Sequence, residues 1–229
     1  MSVVALIPAH NEDQLVGATI RGIRAAGGVD RIVVIDDGSE DATAASARDA
    51  GAEVIRLDLN AGKGGALQAG LDAVSEQANV LVLLDADLGR SAEHVRALLD
   101  PVLDGSADMT VALLPRPAGS GGFGLVKGLA RLGIAVLTGF RATAPLSGQR
   151  ALSRKAWVVA TPFARGYGVE VALTVRACRA GLRVVEVPTT MSHATTGRDL
   201  SGFAHRGRQF AAVLAALIRL ALERHPGGG

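Results

Sequence analysis

The apolar positions of this chain come in short unbroken runs, each closed by a polar cluster. Val3-Val4-Ala5-Leu6-Ile7 runs into Pro8, Arg31-Ile32-Val33-Val34-Ile35 into Asp36-Asp37-Gly38-Ser39, and Asn79-Val80-Leu81-Val82-Leu83-Leu84 into Asp85-Ala86-Asp87. Continuous runs rich in β-branched residues predict strands buried on both faces, as in parallel sheets. Between the first two runs, Asp13 to Ala26 spaces Leu15, Ile20 and Ile23 as a helix of crossover length. A helix over Asp41 to Ala50, a strand over Glu53 to Leu57 and a helix over Gly64 to Glu76 carry the alternation to a strand over Val80 to Leu84. The class this predicts is α/β: a Rossmann-like, mostly parallel open sheet with helices on both faces.

After Val111-Ala112-Leu113-Leu114 the alternation gives way to a Pro/Gly-rich stretch from Pro115 to Gly124, read as a mobile loop. Beyond it the pattern predicts an amphipathic helix over 125–140, a helix over Gly168 to Ala180, a strand over Val184 to Val187 and a C-terminal helical extension over Ala204 to Arg224. That last helix sets Phe210, Val213, Leu214, Leu217 and Ala221 on one stripe, with Arg206, Arg208, Arg219 and Arg224 elsewhere. The stripe reads either as a core face or, together with 125–140, as a face for an anionic membrane. Gly227-Gly228-Gly229 reads as a frayed end, and no repeat or linker divides the chain, so 1–229 is expected to be one domain.

Composition adds a division within that domain. Residues 1–140 carry 11 Lys/Arg against 18 Asp/Glu, and residues 141–229 carry 13 against 4, so the halves stand at −7 and +9. An acidic half suits a cation and a basic half suits an anion. Nucleic acid is the weaker explanation for the anion: with 3% aromatic residues there is little to stack bases on, and no zinc or helix-turn-helix signature accompanies the arginines. The single Cys178 rules out an internal disulfide and reads as a core thiol. No leader precedes the first strand, so a cytoplasmic location is expected, at the inner face of the membrane if the amphipathic helices dock there. The apolar stretch from Gly121 to Phe140 contains Lys127 and Arg131 and fails as a bilayer span.

The candidate chemistry lies at the strand ends. Positions two apart on a strand point the same way, so Asp85 and Asp87 can grip one hard divalent cation; the alternative is a solvated turn. In open α/β sheets ligands gather at the carboxyl edge, which should bring Pro8 to Glu12, Asp36 to Ser39 and Asp85 to Asp87 into one crevice. Other motifs fail on context. Gly119-Ser120-Gly121-Gly122-Phe123-Gly124 has dinucleotide-loop spacing but lies far from the first strand, and Gly62-Lys63-Gly64 lacks the hydroxyl residue and distant glycine of a phosphate loop. A phospho-receiver arrangement of Asp36-Asp37, Asp85 and Lys127 is set aside because the acidic pair follows the second strand.

Pro8-Ala9-His10-Asn11-Glu12, Val34-Ile35-Asp36-Asp37-Gly38-Ser39 with Asp41 and Thr43, Asn60-Ala61-Gly62-Lys63-Gly64, and Asp85-Ala86-Asp87 occur in this order. Together they resemble the family 2 glycosyltransferases of the GT-A fold, which include dolichyl- and polyprenyl-phosphate sugar transferases. Ser147-Gly148-Gln149-Arg150 resembles the acceptor-side element of the lipid-phosphate branch, and Gly166-Tyr167-Gly168-Val169-Glu170 with His193 resembles the glucosyl-3-phosphoglycerate synthases.

The resemblance implies a metal-dependent hexosyltransferase using a UDP- or GDP-sugar, with 1–115 binding the donor and 116–229 the acceptor. Pro8, Ala9, Glu12, Asp36, Asp37, Lys63, Asp85 and Ala86 would bind the donor. Asp85, Asp87 and His193 would hold Mn²⁺ or Mg²⁺, with Asp87 also counted as catalytic. Arg150 would hold a phosphate acceptor, and Glu170 would be a general base, an acceptor-orienting group or only a helix-capping charge. The acceptor would be an anion, a polyprenyl phosphate in the first reading and a soluble phosphorylated acid such as phosphoglycerate in the second. An inactive nucleotide-sugar-binding module is the third. His10 stands where relatives usually carry Tyr, and Glu170 where inverting members often carry Asp.

Overall fold

The computed structural model describes residues 1–115, 124–164, 166–193 and 202–223, the last stretch without the side chains of 202–206 and 208. Residues 116–123, 194–201, Arg224 and the terminal glycines lie outside them, as do the side chains of Arg206 and Arg208.

Seven strands form one sheet: β1 (Val3–Ala9), β2 (Arg31–Asp36), β3 (Glu53–Arg56), β4 (Val80–Leu83), β5 (Met109–Leu113), β6 (Arg150–Ser153) and β7 (Val184–Pro188). Their order is β3-β2-β1-β4-β6-β5-β7. β1 pairs in parallel with β2 and β4, β2 with β3, and β5 with β7. β6 runs antiparallel between β4 and β5. The helices are α1 (Val16–Ala26), α2 (Thr43–Asp49), α3 (Gly62–Val74), α4 (Arg96–Leu103), α5 (Gly124–Thr138), α6 (Arg154–Ala160), α7 (Val169–Arg179) and α8 (Gly202–Leu222).

The pleat sorts β1 between two cores. Val3, Ala5 and Ile7 face one cluster with Val16, Ile20 and Ile23 of α1 and Leu98 and Leu99 of α4. Val4 and Leu6 face the other, with Leu67 and Leu71 of α3, Trp157 of α6 and Leu173 of α7. Strands covered on both sides must be apolar at every position, which is why those runs are unbroken. A third cluster joins α5, α7 and α8 through Val126, Ile134, Val171, Val175, Val213 and Leu217.

Two expectations are corrected here. β6, α6 and α4 were not anticipated: β6 is four residues long and opens with a buried arginine, so no apolar run marks it. The stripe assigned to α8 also splits. Val213, Leu217 and Leu220 are buried, whereas Phe210 and Leu214 are exposed together with Ile218 and Leu222. The helix meets α5 and α7 along one narrow face, so the rest of its apolar surface turns outward. α5 does the same with Leu125, Leu132 and Val136. Among the described residues no helix is long and apolar enough to cross a membrane.

Candidate functional site

β4 ends at Leu83, and the chain leaves it through Asp85 before a short helical turn over Ala86–Val95. Asp85, Asp87 and His193, which lies five residues beyond β7, each offer one ligand atom, and these atoms fall within 4.8 Å of one another. His193 Nδ1 is 2.9 Å from Asp87 Oδ1, and Nε2 is 3.9 Å from Asp85 Oδ2. Each ring nitrogen therefore addresses one carboxylate. Hydrogen bonding to Asp87, aided by the charges of Asp87 and Asp85, raises the His193 pKa above its ordinary value. Two carboxylate oxygens and an imidazole form a donor set suited to Mn²⁺, and the carboxylates suit Mg²⁺.

The turn is held from outside by α1. Thr19 is fully buried; its hydroxyl donates to Ala86 O at 2.7 Å and accepts from Gly89 N at 2.8 Å. Close approach is possible because α1 presents Gly22 there: a Cβ on it would sit 3.1–3.2 Å from the backbone of Gly89, Arg90 and Glu93. Neither Thr19 nor Gly22 was singled out from sequence, since one hydroxyl on an amphipathic helix carries no local signal.

Lys63, near the start of α3, lies between two carboxylates, 2.6 Å from Asp85 Oδ1 and 3.0 Å from Glu170 Oε1. Burial would pull its pKa down, but Asp85 and Glu170 outweigh that and hold the ammonium charged above the usual lysine range. Burial likewise opposes ionisation of Asp85, and Lys63, His193 and Gln149 overcome it, leaving its pKa lowered. Gln149, fully buried, donates to Asp85 Oδ2 at 2.7 Å. Next to it Gly148 packs its Cα so tightly that a Cβ would collide with the Lys63 ammonium and lie 2.9 Å from the Asp85 carboxylate. The motif Ser147-Gly148-Gln149-Arg150 thus meets Asp85 and Lys63 through Gly148 and Gln149.

The Asp36-Asp37 pair shapes the neighbouring loops. Asp36 Oδ1 accepts from Ser39 N at 2.9 Å; its Oδ2 is buried without a hydrogen bond, 3.5 Å from Arg56 Nε. Asp37 Oδ1 accepts from Ala61 N at 2.7 Å, tying this turn to the one that carries Lys63. His10 Nδ1 lies 3.0 Å from Asp37 O. Pro8 and Ala9 end β1 beside this pair, and the Glu12 amide donates to Thr43 Oγ1 at 2.8 Å. Burial first, then the charges of Asp87, Asp41 and Asp85, raise the Glu12 pKa, which puts Glu12 in the same electrostatic basin as the metal pair.

Arg150 departs from expectation. Its side chain is fully buried at the start of β6, with Nε donating to Ser147 O at 2.8 Å and Nη1 to Thr174 Oγ1 at 2.9 Å. Burial lowers its pKa to about 10. A group with no exposed surface and its donors engaged does not meet an acceptor; it braces the loop that presents Gly148 and Gln149. Glu186 of β7 braces the other end of that loop, accepting from the amides of Thr143 and Ala144 at 2.7–2.9 Å. Glu170 is 5% exposed and engaged with Lys63. Cys178 is half-buried, and burial pushes its thiol pKa up.

An open α/β sheet with paired acids, a lysine and an imidazole at its carboxyl edge is the architecture of a GT-A glycosyltransferase. This chain belongs to glycosyl transferase family 2, whose family model matches residues 4–144. The undecaprenyl-phosphate mannosyltransferase of Micrococcus luteus is 29% identical over 213 residues, 87% of either chain. The glucosyl-3-phosphoglycerate synthase of Mycolicibacterium smegmatis is 30% identical over 235 residues, 93% of this chain and 76% of that one. The crystal structure of the Mycobacterium tuberculosis glucosyl-3-phosphoglycerate synthase with Mn²⁺, UDP-glucose and phosphoglyceric acid superposes with a TM-score of 0.79 at 28% identity, covering 100% of this chain and 82% of that one. The same protein crystallised with Mg²⁺ and UDP gives a TM-score of 0.78.

Proposed function

We propose that this glycosyltransferase moves a hexose from a UDP- or GDP-sugar to a polyprenyl phosphate, using Mn²⁺ or Mg²⁺ at Asp85, Asp87 and His193. The convergence of those three side chains beside Lys63 carries the reading. When bound, the ion supplies Lewis-acid stabilisation of the charge that develops on the departing diphosphate. The protein supplies the rest. Lys63 keeps its proton at neutral pH and presents a fixed positive charge to the donor phosphates. The second oxygen of Asp37 accepts from the base and ribose, and Asp36, buried against Arg56, shapes that turn from behind, with Pro8, Ala9 and Glu12 as the adjoining wall and the Ala86 backbone closing it. Glu170 orients Lys63 and the incoming acceptor. A phosphate acceptor is already ionised and needs no general base.

The lipid acceptor is supported by the outward apolar faces of α5 and α8, which suit peripheral contact with an anionic membrane. A soluble phosphorylated acid is the second reading, supported by the full-length superposition on a synthase crystallised with phosphoglyceric acid. The test incubates the protein with labelled UDP-glucose or GDP-mannose, Mn²⁺, and either polyprenyl phosphate in detergent or 3-phosphoglycerate. Label in the organic phase supports the lipid acceptor, and label confined to the aqueous product overturns it in favour of the second reading. No product with either, with or without Mn²⁺, would sink both.

A further inference from the structure

Ser91 lies partly buried in the segment between Asp87 and α4, and its hydroxyl touches both arms of the metal cluster. Its Oγ is 2.7 Å from Leu88 O, and it is 3.0 Å from both the amide nitrogen and the carbonyl oxygen of Ser192. A hydroxyl has one proton and two acceptor lone pairs. Ser91 therefore accepts from Ser192 N while giving its proton to Leu88 O or to Ser192 O. Leu88 follows Asp87, and Ser192 precedes His193. One side chain thus ties together the neighbours of two of the three ligands, although those ligands follow β4 and β7, which have β6 and β5 between them in the sheet.

The tie bears on which ion the site takes. Both carboxylates belong to the turn after β4, which Thr19 already holds. His193 is attached from across the sheet, and its side chain is 41% exposed. A ligand on an untied segment loses conformational freedom each time it binds, which weakens it. Mg²⁺ prefers oxygen ligands and retains much of its water, so it gains little from an imidazole, whereas Mn²⁺ gains more.

We infer that Ser91 is a positioning residue that holds His193 against Asp87 and thereby sets the preference of the site for Mn²⁺ over Mg²⁺. This rests on the metal reading of the three ligands. The experiment measures the affinity for Mn²⁺ alone by the electron paramagnetic resonance signal of the free ion, and for Mg²⁺ by competition, without any donor sugar. It uses the wild type, Ser91→Ala, Ser91→Thr, His193→Ala and the Ser91→Ala/His193→Ala double variant. Ser91→Ala weakens Mn²⁺ binding ~10-fold and Mg²⁺ binding less than ~2-fold, and Ser91→Thr, which keeps the hydroxyl, restores the difference. In the His193→Ala background the Ser91→Ala effect disappears, because the hydroxyl acts only through the imidazole. Equal weakening of both ions, no weakening, or a Ser91→Ala effect that survives loss of His193 overturns the inference. A wild type that binds neither ion overturns the metal reading and the inference with it, a result distinct from the other three.

Discussion

In residues 1–115 every carboxylate of the site sits at the end of a parallel strand or in the turn behind it, where the alternation of the chain already puts it: Asp36 at the end of β2, Asp85 and Asp87 after β4. In residues 124–223 the charged groups are placed by packing. Arg150 opens a strand and is sealed under the sheet edge, Glu170 opens a helix and meets a lysine from the first half, and Glu186 clamps the backbone of a loop. The first region gathers its charge at the carboxyl edge of the sheet. The second uses its charge mostly to fix its own loops, with Glu170 reaching across to Lys63.

Breaking that contrast at its sharpest point means removing a ligand from the first region. Asp87→Ala lowers transfer by ~10³-fold, the loss expected when several kcal/mol of charge stabilisation go. The urea unfolding midpoint stays near the wild-type value. Undiminished turnover would remove Asp87 from the chemistry.

A comparable change in the second region should act on the fold. Arg150→Met leaves Ser147 O and Thr174 Oγ1 without their donors, and unfolding in urea should show a loss of about 2–3 kcal/mol. Were stability kept while the KM for acceptor alone rose, Arg150 would count as an acceptor contact and the contrast would fail.

The pH dependence tests whether the two regions meet at His193. Its pKa is raised in the folded protein by Asp87, so the ion-free protein carries extra stability below the unfolded value of 6.5 and loses it as pH rises through the folded pKa. A metal needs the imidazole neutral, so Mn²⁺ affinity falls as pH drops through that same raised value, above 6.5. Titrations of Mn²⁺ binding at a series of pH values read the midpoint, and a midpoint below 6.5 would mean that the Asp87 contact does not exist in solution.

The smallest effect on stability comes from the outward face. Leu132→Ser with Ile218→Ser changes unfolding by no more than ~0.5 kcal/mol per site, since both side chains are mostly exposed. Flotation with anionic vesicles should drop for the pair. Unchanged flotation would remove the membrane from the account of α5 and α8.

Much of this was legible in the chain itself. The strand runs, the acidic clusters closing them and the histidine after Val184-Val185-Glu186-Val187-Pro188 all carry local patterns, and the structure brings Lys63, Asp85, Asp87 and His193 together as those patterns imply. Thr19 and Ser91 were not legible as parts of the site, and Gly148 and Gln149 only as members of an acceptor-side motif, not as neighbours of Asp85. Each matters only through a partner brought near by the fold: Ala86 and Gly89 for Thr19, Ser192 for Ser91, and Asp85 for the last two. β6 was hidden because its buried first residue is an arginine.

By itself, then, the sequence determined the alternation of strands and helices from β1 to β4 and which acids stand at the carboxyl edge, because pleat, helical period and short connections follow from local residue pattern. Only the tertiary structure decided which charge meets which. Lys63 is a cation held between Asp85 and Glu170 beside the metal cluster and Arg150 a buried brace, a difference that depends on burial and on the donors and acceptors packed around each, and that residue type alone does not specify.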